Sequence, residues 1–185
     1  MQEEDRQLIE EFMGGNDYSF EKILEKYLKP VFNFVYQLVG DFHVAEDLTQ
    51  ETFIKSWKHI KKFDMEKSFK TWIFTIAKNT TYDYFKKKKT VPFSNFIDGE
   101  GNNKLENISD GSILPDEILE RKNIAEELEK KINDIPQHYR VILLLCYKED
   151  LSLQEIAGIL NKPYNTIKSG HARALKSLKK LILEE

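Results

Sequence analysis

The sequence contains a single cysteine, Cys146, among its 185 residues. One cysteine cannot form a disulfide within the chain, so the sequence is typical of a reducing compartment and we expect a cytoplasmic location. No stretch approaches the ~20 consecutive apolar residues that a membrane-spanning helix needs. The first twelve residues are acidic and amphipathic, unlike a secretory signal peptide. We therefore expect no membrane insertion.

Glycine and proline are also scarce, with 8 and 5 residues respectively. These residues mark the turns of sheet-rich folds, and this sequence has long stretches free of both. Charged residues make up 32% of the chain and hydrophobic residues 41%, as in a folded protein with a well-solvated surface. The composition therefore predicts an all-α protein rather than a sandwich or a barrel.

Motifs of catalysis are absent as well. The four histidines, His43, His59, His138 and His171, are scattered along the chain, and no pair of carboxylates or spacing of metal ligands stands out. The glycine patterns of P-loops and of dinucleotide-binding folds are missing. We therefore expect no catalytic residue, no metal site and no cofactor.

Charge is divided unevenly along the chain, although the net charge is only −3. Residues 55–90 hold eleven lysines and three acidic residues, and residues 161–180 hold five lysines, one arginine and no acid. Residues 91–135 hold five basic and eleven acidic residues. Either basic block alone fits a solvated surface, but two such blocks on amphipathic helices favour nucleic-acid binding.

The acidic middle also interrupts the helical pattern. Residues 91–117 carry two prolines and three glycines among Asn, Ser and Asp, which indicates a linker; an acidic strap lying in a basic channel is a further interpretation. The sequence thus predicts two small helical domains, at 1–90 and 118–185, joined by a flexible linker at 91–117.

Residues 42–58 have the repeat of an amphipathic helix. One stripe is expected to face a core and consists of Ala45, Leu48, Thr49, Thr52, Phe53, Ser56 and Trp57. The opposite face carries Asp47, Gln50, Glu51 and Ile54. An apolar residue within an acidic face fits docking on another protein, and an ordinary solvated helix is the alternative.

The next helix is predicted to start at Phe69, after a loop at 63–68 whose last residue, Ser68, can cap it. Its buried stripe is expected to be Phe69, Trp72, Ile73, Ile76, Ala77 and Thr80. Lys70, Phe74 and Lys78 lie one turn apart on another face. Lysines neutralise phosphates and rings stack on unpaired bases, so this face fits single-stranded DNA; the alternative is an aromatic-rich core with solvated lysines.

Residues 151–183 have the pattern of a helix-turn-helix. Ser152 and Glu155 fit a capping box, and Pro163 is well placed as the first residue of a second helix. That helix is expected to bury Ile167, Ala174, Leu178 and Leu181 and to expose Asn165, Thr166, Lys168, Ser169, Arg173 and Lys176. A basic second helix of this kind enters the major groove, whereas two packed helices with a basic exterior are the alternative.

Several segments, taken in order, resemble those of bacterial RNA polymerase sigma factors of the extracytoplasmic-function (ECF) type. HVAEDLTQETFIKSW resembles the segment that grips the polymerase clamp helices, and KSFKTWIFTIAKNTTYDY resembles the promoter-melting segment. DIPQHYRVILLL and LSLQEIAGILNKPYNTIKSGHARAL resemble the helix-turn-helix that reads the upstream promoter element. The resemblance runs from about Tyr18 to Leu183 and has only a linker between its halves, as in the ECF type.

The resemblance implies roles for individual residues. Asp47, Gln50, Glu51 and Ile54 would contact core RNA polymerase. The single-stranded downstream (minus-ten) element would meet Phe63, Asp64 and Lys67 of the loop, and Trp72, Phe74, Lys78 and Asn79 of the following helix. The duplex upstream (minus-thirty-five) element would meet Asn165, Thr166, Lys168, Ser169 and Arg173. Apolar residues at 141–145 would help to seat the polymerase flap, and an anti-sigma factor is the expected inhibitor.

One position departs from the family pattern. The family commonly has a large basic residue where this chain has Gly170. We expect the glycine to remove a phosphate or base contact, so the upstream sequence that is recognised should differ from the usual one.

A conventional helix-turn-helix regulator, with a sensor domain before the DNA-binding domain, is the alternative function. It would form dimers and bind palindromic sites. It leaves the acidic face of residues 42–58 and the basic, aromatic helix unexplained.

Overall fold

The computed structural model describes residues 3–88 and 135–183. The predicted linker at 91–117 and the beginning of the predicted second domain lie outside these residues. The elements of the described ranges are helical, as the composition predicts. They are α1 (Glu3–Met13), α2 (Asp17–Val39), α3 (Phe42–His59) with a 3₁₀ turn at Ile60–Lys62, α4 (Phe69–Lys88), α5 (Gln137–Leu143) with a π-helical turn at Leu144–Lys148, α6 (Leu153–Leu160) and α7 (Tyr164–Leu183).

Helices α1 to α4 form a first group around α2. The core-facing side of α2 is largely apolar, with Ile23, Val31, Phe34 and Val35 inaccessible to solvent. The helix ends where Gly40 adopts a left-handed conformation with φ of 71° and donates its N–H to the carbonyl of Tyr36, a turn that glycine makes without a steric penalty.

Helix α1 is held to α2 by a buried polar contact. The Asp5 carboxylate, nearly inaccessible to solvent, accepts a hydrogen bond of 2.7 Å from the Tyr27 hydroxyl and forms a 2.7 Å ion pair with Lys26. Burial, with the Asp5 carboxylate as the next cause, raises the pKa of the Tyr27 hydroxyl. The hydroxyl therefore stays protonated as the donor that the buried carboxylate needs.

Helices α5 to α7 form a second group. Val141, Ile142 and Leu145 of the first segment, Ile156 and Ile159 of α6, and Ile167 of α7 are buried in it. The resemblance places the apolar residues at 141–145 against the polymerase flap, but Val141, Ile142 and Leu145 lie in this core and offer no apolar surface in this conformation; Leu143 and Leu144 are half-buried.

The two groups are in contact with one another. Helix α4 packs on α6 and α2 packs on α5, and the buried apolar residues of both groups form one connected core. No helix within the described ranges has an apolar stretch long enough to cross a membrane.

Candidate nucleic-acid and partner-binding surfaces

Helix α3 begins with a side-chain cap and presents the predicted partner-binding residues to solvent. The Asp41 carboxylate accepts a 2.9 Å hydrogen bond from the backbone N–H of Val44, which satisfies one of the free donors at the helix start. The predicted core stripe is buried as expected, except for Trp57. The opposite side, called the α3 face below, consists of Asp47, Gln50, Glu51 and Ile54, all exposed.

The indole of Trp57 does not lie in the core, so that part of the prediction is wrong. The side chain is 51% exposed and Ile54, one turn before it, is 53% exposed. Both border a groove between α2 and α3 with a volume of about 970 Å³. Trp57 lies at the edge of the helical stripe and lines this open groove instead of the core.

The groove adds residues that the sequence reasoning missed. Its apolar lining comes from Phe20, Leu24, Leu28 and Phe32 of α2 and from Phe42, Phe53, Ile54 and Trp57 of α3. Leu24, Leu28 and Phe32 follow one another at four-residue spacing, a second stripe beside the core-facing one. That spacing was a signal in the sequence. An open groove with so much accessible apolar surface fits docking of another protein chain.

Glu51 is tied to the rest of the first group. Its carboxylate lies 2.8 Å from the Lys55 ammonium, which in turn donates to the hydroxyl of Thr80 on α4 over 3.1 Å. Substitutions of Asp47 and Ile54 therefore test partner binding more directly than substitutions of Glu51, because they leave this link between α3 and α4 intact.

The loop before α4 is a compact turn. The Asp64 carboxylate accepts a 3.1 Å hydrogen bond from the backbone N–H of Glu66 and lies 3.4 Å from the Lys67 ammonium. The backbone hydrogen bond, followed by Lys67, lowers the pKa of Asp64. Asp64 and Lys67 are exposed, so both remain accessible to a nucleic acid.

Phe63, by contrast, is buried in an aromatic cluster. Its ring lies 5.5 Å from that of Phe69 and 5.1 Å from that of Trp72, between centroids. Trp72 is only half-buried. In this conformation the Phe63 ring packs inside the protein and is not available to stack on a base. The Trp72 side chain remains partly accessible to solvent.

Helix α4 starts at Phe69, as predicted, and the Ser68 hydroxyl accepts a hydrogen bond of 3.3 Å from the backbone N–H of Thr71. The predicted DNA-binding side of this helix is largely covered. Phe74 is fully buried with its ring 5.3 Å from that of Phe34, so in this conformation it is not available to stack on a base.

Lys78 is also covered, with only 6% of the residue exposed. Its ammonium lies 5.0 Å above the ring of Tyr82, and burial, with a smaller effect of Lys86, lowers its pKa. The prediction that Lys78 meets DNA does not fit this conformation. Asn79 is exposed and remains available.

The helix-turn-helix is confirmed in detail. The Ser152 hydroxyl accepts from the backbone N–H of Glu155, and the Glu155 carboxylate accepts from the backbone N–H of Ser152 over 2.9 Å. Asn161 ends α6 in a left-handed conformation with φ of 53°. Helix α7 begins at Tyr164, one residue later than predicted, and the Pro163 carbonyl accepts hydrogen bonds from the backbone N–H groups of Thr166 and Ile167.

The exposed side of α7 carries all the residues predicted to meet duplex DNA. They are Asn165, Thr166, Lys168, Ser169 and Arg173. Ile167 and Ala174 on the other side are buried as predicted. Exposed polar side chains in the first turns of a second helix, with cations beyond them, can meet base edges and phosphates respectively.

Gly170 faces the core and not the DNA-binding side. A Cβ atom added at this buried position would lie 2.9 Å from the Cδ1 atom of Ile142 on α5. The prediction that the glycine removes a DNA contact is therefore wrong: it permits the close approach of α7 to α5.

His171 pairs with Tyr147 of the π-helical turn. The Tyr147 hydroxyl lies 3.1 Å from its Nε2 atom, and the two rings stack with centroids 5.7 Å apart. No group of three or more His, Cys, Asp or Glu side chains within residues 3–88 and 135–183 is placed to hold a metal ion.

Comparison with known proteins accounts for both groups of helices. Residues 23–91 match Sigma-70 region 2, and residues 122–178 match Sigma-70 region 4. The ECF RNA polymerase sigma factor SigW of Bacillus subtilis (strain 168) is 32% identical over 174 residues, 93% of each chain. SigM of the same strain is 33% identical over 167 residues, 88% of this chain and 94% of the relative.

Solved structures share the fold. The sigma factor RpoE in its complex with the anti-sigma factor NepR from Bartonella quintana has a TM-score of 0.65 at 24% identity, over 90% of this chain and 98% of that chain. CnrH in complex with the cytosolic domain of CnrY has a TM-score of 0.64 at 17% identity, over 97% of each chain.

Proposed function

Because this chain belongs to the ECF sigma factors of bacterial RNA polymerase, we propose that it binds core polymerase through the α3 face and the adjoining groove and directs it to promoters. The observation that carries this function is the order of the parts: a region 2 match precedes a region 4 match whose second helix exposes every predicted DNA-binding residue. In addition, the region 2 match occupies the part of the chain in which a conventional regulator would have its sensor domain.

The proposed division into domains is based on the same order of parts. A first domain at 1–90 carries the polymerase-binding and minus-ten functions, and a second domain at 118–185 carries the minus-thirty-five function. The family matches at 23–91 and 122–178 fall within or within one residue of these bounds. The chain acts without catalysis, in the cytoplasm where polymerase works, on genes of a stress or envelope response.

Core polymerase binding is assigned to the α3 face and the groove together. Ile54 and Trp57 supply exposed apolar surface at the edge of the groove, and Asp47 and Glu51 surround it with negative charge. Buried apolar centres provide most of the affinity of such interfaces, and charge at their rim steers association.

The downstream element is assigned to the loop and to the first half of α4, as far as Asn79. The accessible residues there are Asp64, Lys67 and Asn79, with the half-buried Trp72 beside them. Melting a promoter requires no catalytic group, since flipped bases gain contacts and stacking in exchange for the few kcal/mol that unstacking costs.

A protein inhibitor is proposed as a further partner. The two solved relatives described above are each in complex with another protein, and one of those partners is named an anti-sigma factor. The apolar groove between α2 and α3 would suit such a partner, and occupation of it would exclude core polymerase from the α3 face.

The proposed function is tested by capture of core RNA polymerase. We expect the wild-type chain to retain core polymerase and the double variant Asp47→Lys, Ile54→Glu to lose at least ~10-fold in affinity, because a charge at the apolar centre must be desolvated and the acidic rim is reversed. The control is Asp83→Lys, the same charge reversal at an exposed position of α4 outside the α3 face.

Two results would contradict the proposal. Unchanged capture by the double variant would remove the α3 face from the interface. A wild-type chain that ignores core polymerase but binds duplex DNA as a dimer would instead be a conventional regulator.

A further inference from the structure

Helix α1 has no role in the function proposed above, and it lies before the match to Sigma-70 region 2, which begins at residue 23. It is joined to α2 through Asp5, which is only 2% exposed. One oxygen of this carboxylate accepts from the Tyr27 hydroxyl over 2.7 Å, and the other accepts from the Lys26 ammonium over 2.7 Å. A buried carboxylate needs donors for both oxygens, so these contacts fix the polar end of the Tyr27 side chain.

The ring of Tyr27 belongs to an aromatic cluster next to residues 63–68, called the minus-ten loop below. Its centroid lies 5.4 Å from that of Phe69, with the two rings edge to face. The Phe69 ring in turn lies 5.5 Å from that of Phe63 and 5.3 Å from that of Trp72. Neighbouring rings prefer a small set of relative positions. The position of the Tyr27 ring therefore affects the positions of Phe63 and Trp72.

Phe63 connects this cluster to the surface that is assigned to the melted strand. It directly precedes Asp64 in the chain, and the residue is only 7% exposed. The contacts of Asp64 with Glu66 and Lys67 fix the internal shape of the minus-ten loop. They do not fix where the loop lies relative to Trp72, which is half-buried in the same cluster. That relative position depends on the packed rings.

Helix α1 also lies beside the minus-ten loop at the surface. The pKa of the Arg6 guanidinium is raised, chiefly by its 3.1 Å hydrogen bond to Glu10 and to a smaller extent by the negative charge of Glu66. Glu66 is an exposed residue of the loop. The first helix therefore contributes to the surroundings of the loop both through charge at the surface and through the buried contact of Asp5 with Tyr27.

We propose that Asp5 and Tyr27 are positioning residues for the minus-ten element: they hold the Phe69 ring so that the minus-ten loop and Trp72 form one ordered surface for the melted strand. Both residues are buried, so they act through the rings and not on DNA. A surface that is already ordered loses less entropy when the strand binds. The identity of the DNA rests on the proposed function, whereas the effect on Trp72 does not.

The first measurement is the fluorescence of Trp72 in the full chain, in a Trp57→Phe background because the sequence has two tryptophans. Tyr27→Phe removes only the hydroxyl that Asp5 holds. We expect it to shift the Trp72 emission to longer wavelength and to raise its quenching by acrylamide, because the ring packs less tightly. The matched control is Tyr36→Phe, which removes the hydroxyl of a half-buried tyrosine on the same helix and should leave the emission unchanged.

Two further variants separate positioning from a general loss of stability. The double variant Asp5→Ala, Tyr27→Phe should change the emission no more than the larger of its single changes, whereas independent effects would add. Val35→Ala, about two turns further along α2 and also fully buried, should lower the unfolding temperature without changing the emission. If Tyr27→Phe has the emission of the Trp57→Phe chain, the proposal is overturned, whatever the chain does with polymerase.

The second measurement uses the chain bound to core RNA polymerase, with Trp57 intact, on a promoter that the wild-type complex selects from randomised duplex DNA. Reactivity of unpaired thymines with permanganate follows promoter opening. We expect Tyr27→Phe to slow opening about fivefold, since the loss of one buried hydrogen bond to a charged group is of that size. Affinity for the unopened promoter, measured in the cold, should stay unchanged because α7 is unaltered.

The two measurements together distinguish the possible failures. A changed Trp72 emission with normal promoter opening would make the contact of Asp5 with Tyr27 merely structural and would overturn the proposal. A wild-type chain that does not retain core polymerase would contradict the proposed function, and with it the role in promoter opening, even if the emission changed as expected.

Discussion

The role of Gly170 depends on which side of α7 packs against the neighbouring helix. The glycine brings α7 close to α5, where an added Cβ would lie 2.9 Å from the Cδ1 atom of Ile142. We expect Gly170→Ala to bring little or no stabilisation, because the clash opposes the ~1 kcal/mol that alanine gains over glycine within a helix. Thermal unfolding followed by circular dichroism measures the difference.

The matched background is Ile142→Val, which removes the Cδ1 atom. That change alone should lower the free energy of unfolding by about 0.5–1.5 kcal/mol. Gly170→Ala should then be clearly stabilising in the Ile142→Val background. Strictly additive effects would show that the two side chains do not meet and would return Gly170 to the DNA-binding surface.

The burial of Phe74 and the exposure of Trp57 could not be predicted from the spacing of residues along their helices. Helical periodicity gives the angle at which each side chain leaves the axis; it places Trp57 at the end of the main stripe of α3 and Phe74 beside that of α4. Phe74 is buried because Phe34 of α2 meets it, whereas Trp57 borders an open groove. The difference is made by the neighbouring helix, which periodicity within one segment does not contain.

At the scale of the element, the most local signals were the most reliable. The capping box of Ser152 and Glu155, the Ser68 cap and the break before α7 each depend on a few adjacent residues, and the structure confirms all three. To predict the groove between α2 and α3, one must know how the two helices pack together. In the sequence, only the spacing of Leu24, Leu28 and Phe32 indicated an apolar surface there.

Helix α7 allows a prediction that separates phosphate contacts from base contacts. We expect Lys168→Ala and Arg173→Ala each to weaken binding of duplex upstream-element DNA by the polymerase-bound protein. Each should also reduce the slope of log affinity against log salt by about 0.9, the value for one lost phosphate contact. The measurement is a salt titration of promoter binding by fluorescence anisotropy.

Two comparisons make that titration specific. Lys22→Ala removes an equal charge from the exposed side of α2 and should leave the slope unchanged. Asn165→Ala, a neutral change in the first turn of α7, should weaken binding to the cognate sequence more than to unrelated DNA, with the slope preserved. If neither Lys168→Ala nor Arg173→Ala changed the slope, the DNA would have to lie on another side of α7.

At the scale of the whole molecule, the sequence predicted the two helical regions but not the way they meet. The charge blocks suggested nucleic-acid binding and an acidic strap in a basic channel, whereas the pairing of Lys70 with Glu149 joins the two groups of helices through residues 79 positions apart. Charge counts over long windows cannot identify such a pair. Glu149 itself, at the end of an apolar helix, carried no motif that would have singled it out.

The contact between the two groups of helices and the α3 face together predict how the free and bound forms differ. Energy transfer between dyes on cysteines introduced at Glu25 of α2 and Lys176 of α7, in a Cys146→Ser background, should be high in the free chain and should fall when core polymerase is added. The labelled residues are exposed, so labelling should leave the contact between the two groups intact. The fall is expected because the minus-ten and minus-thirty-five elements are separated by roughly 25 base pairs, or about 85 Å at 3.4 Å per step, farther apart than two domains in contact can reach.

The Asp47→Lys, Ile54→Glu chain separates opening caused by polymerase from opening by any added protein. The residues between its two groups of helices are unchanged, so its free form should give the wild-type transfer. Because it does not bind core polymerase, its transfer should stay high after the addition. A double variant that opened like wild type would mean that polymerase separates the domains without the α3 face, and the first contact would then have to be sought on α7.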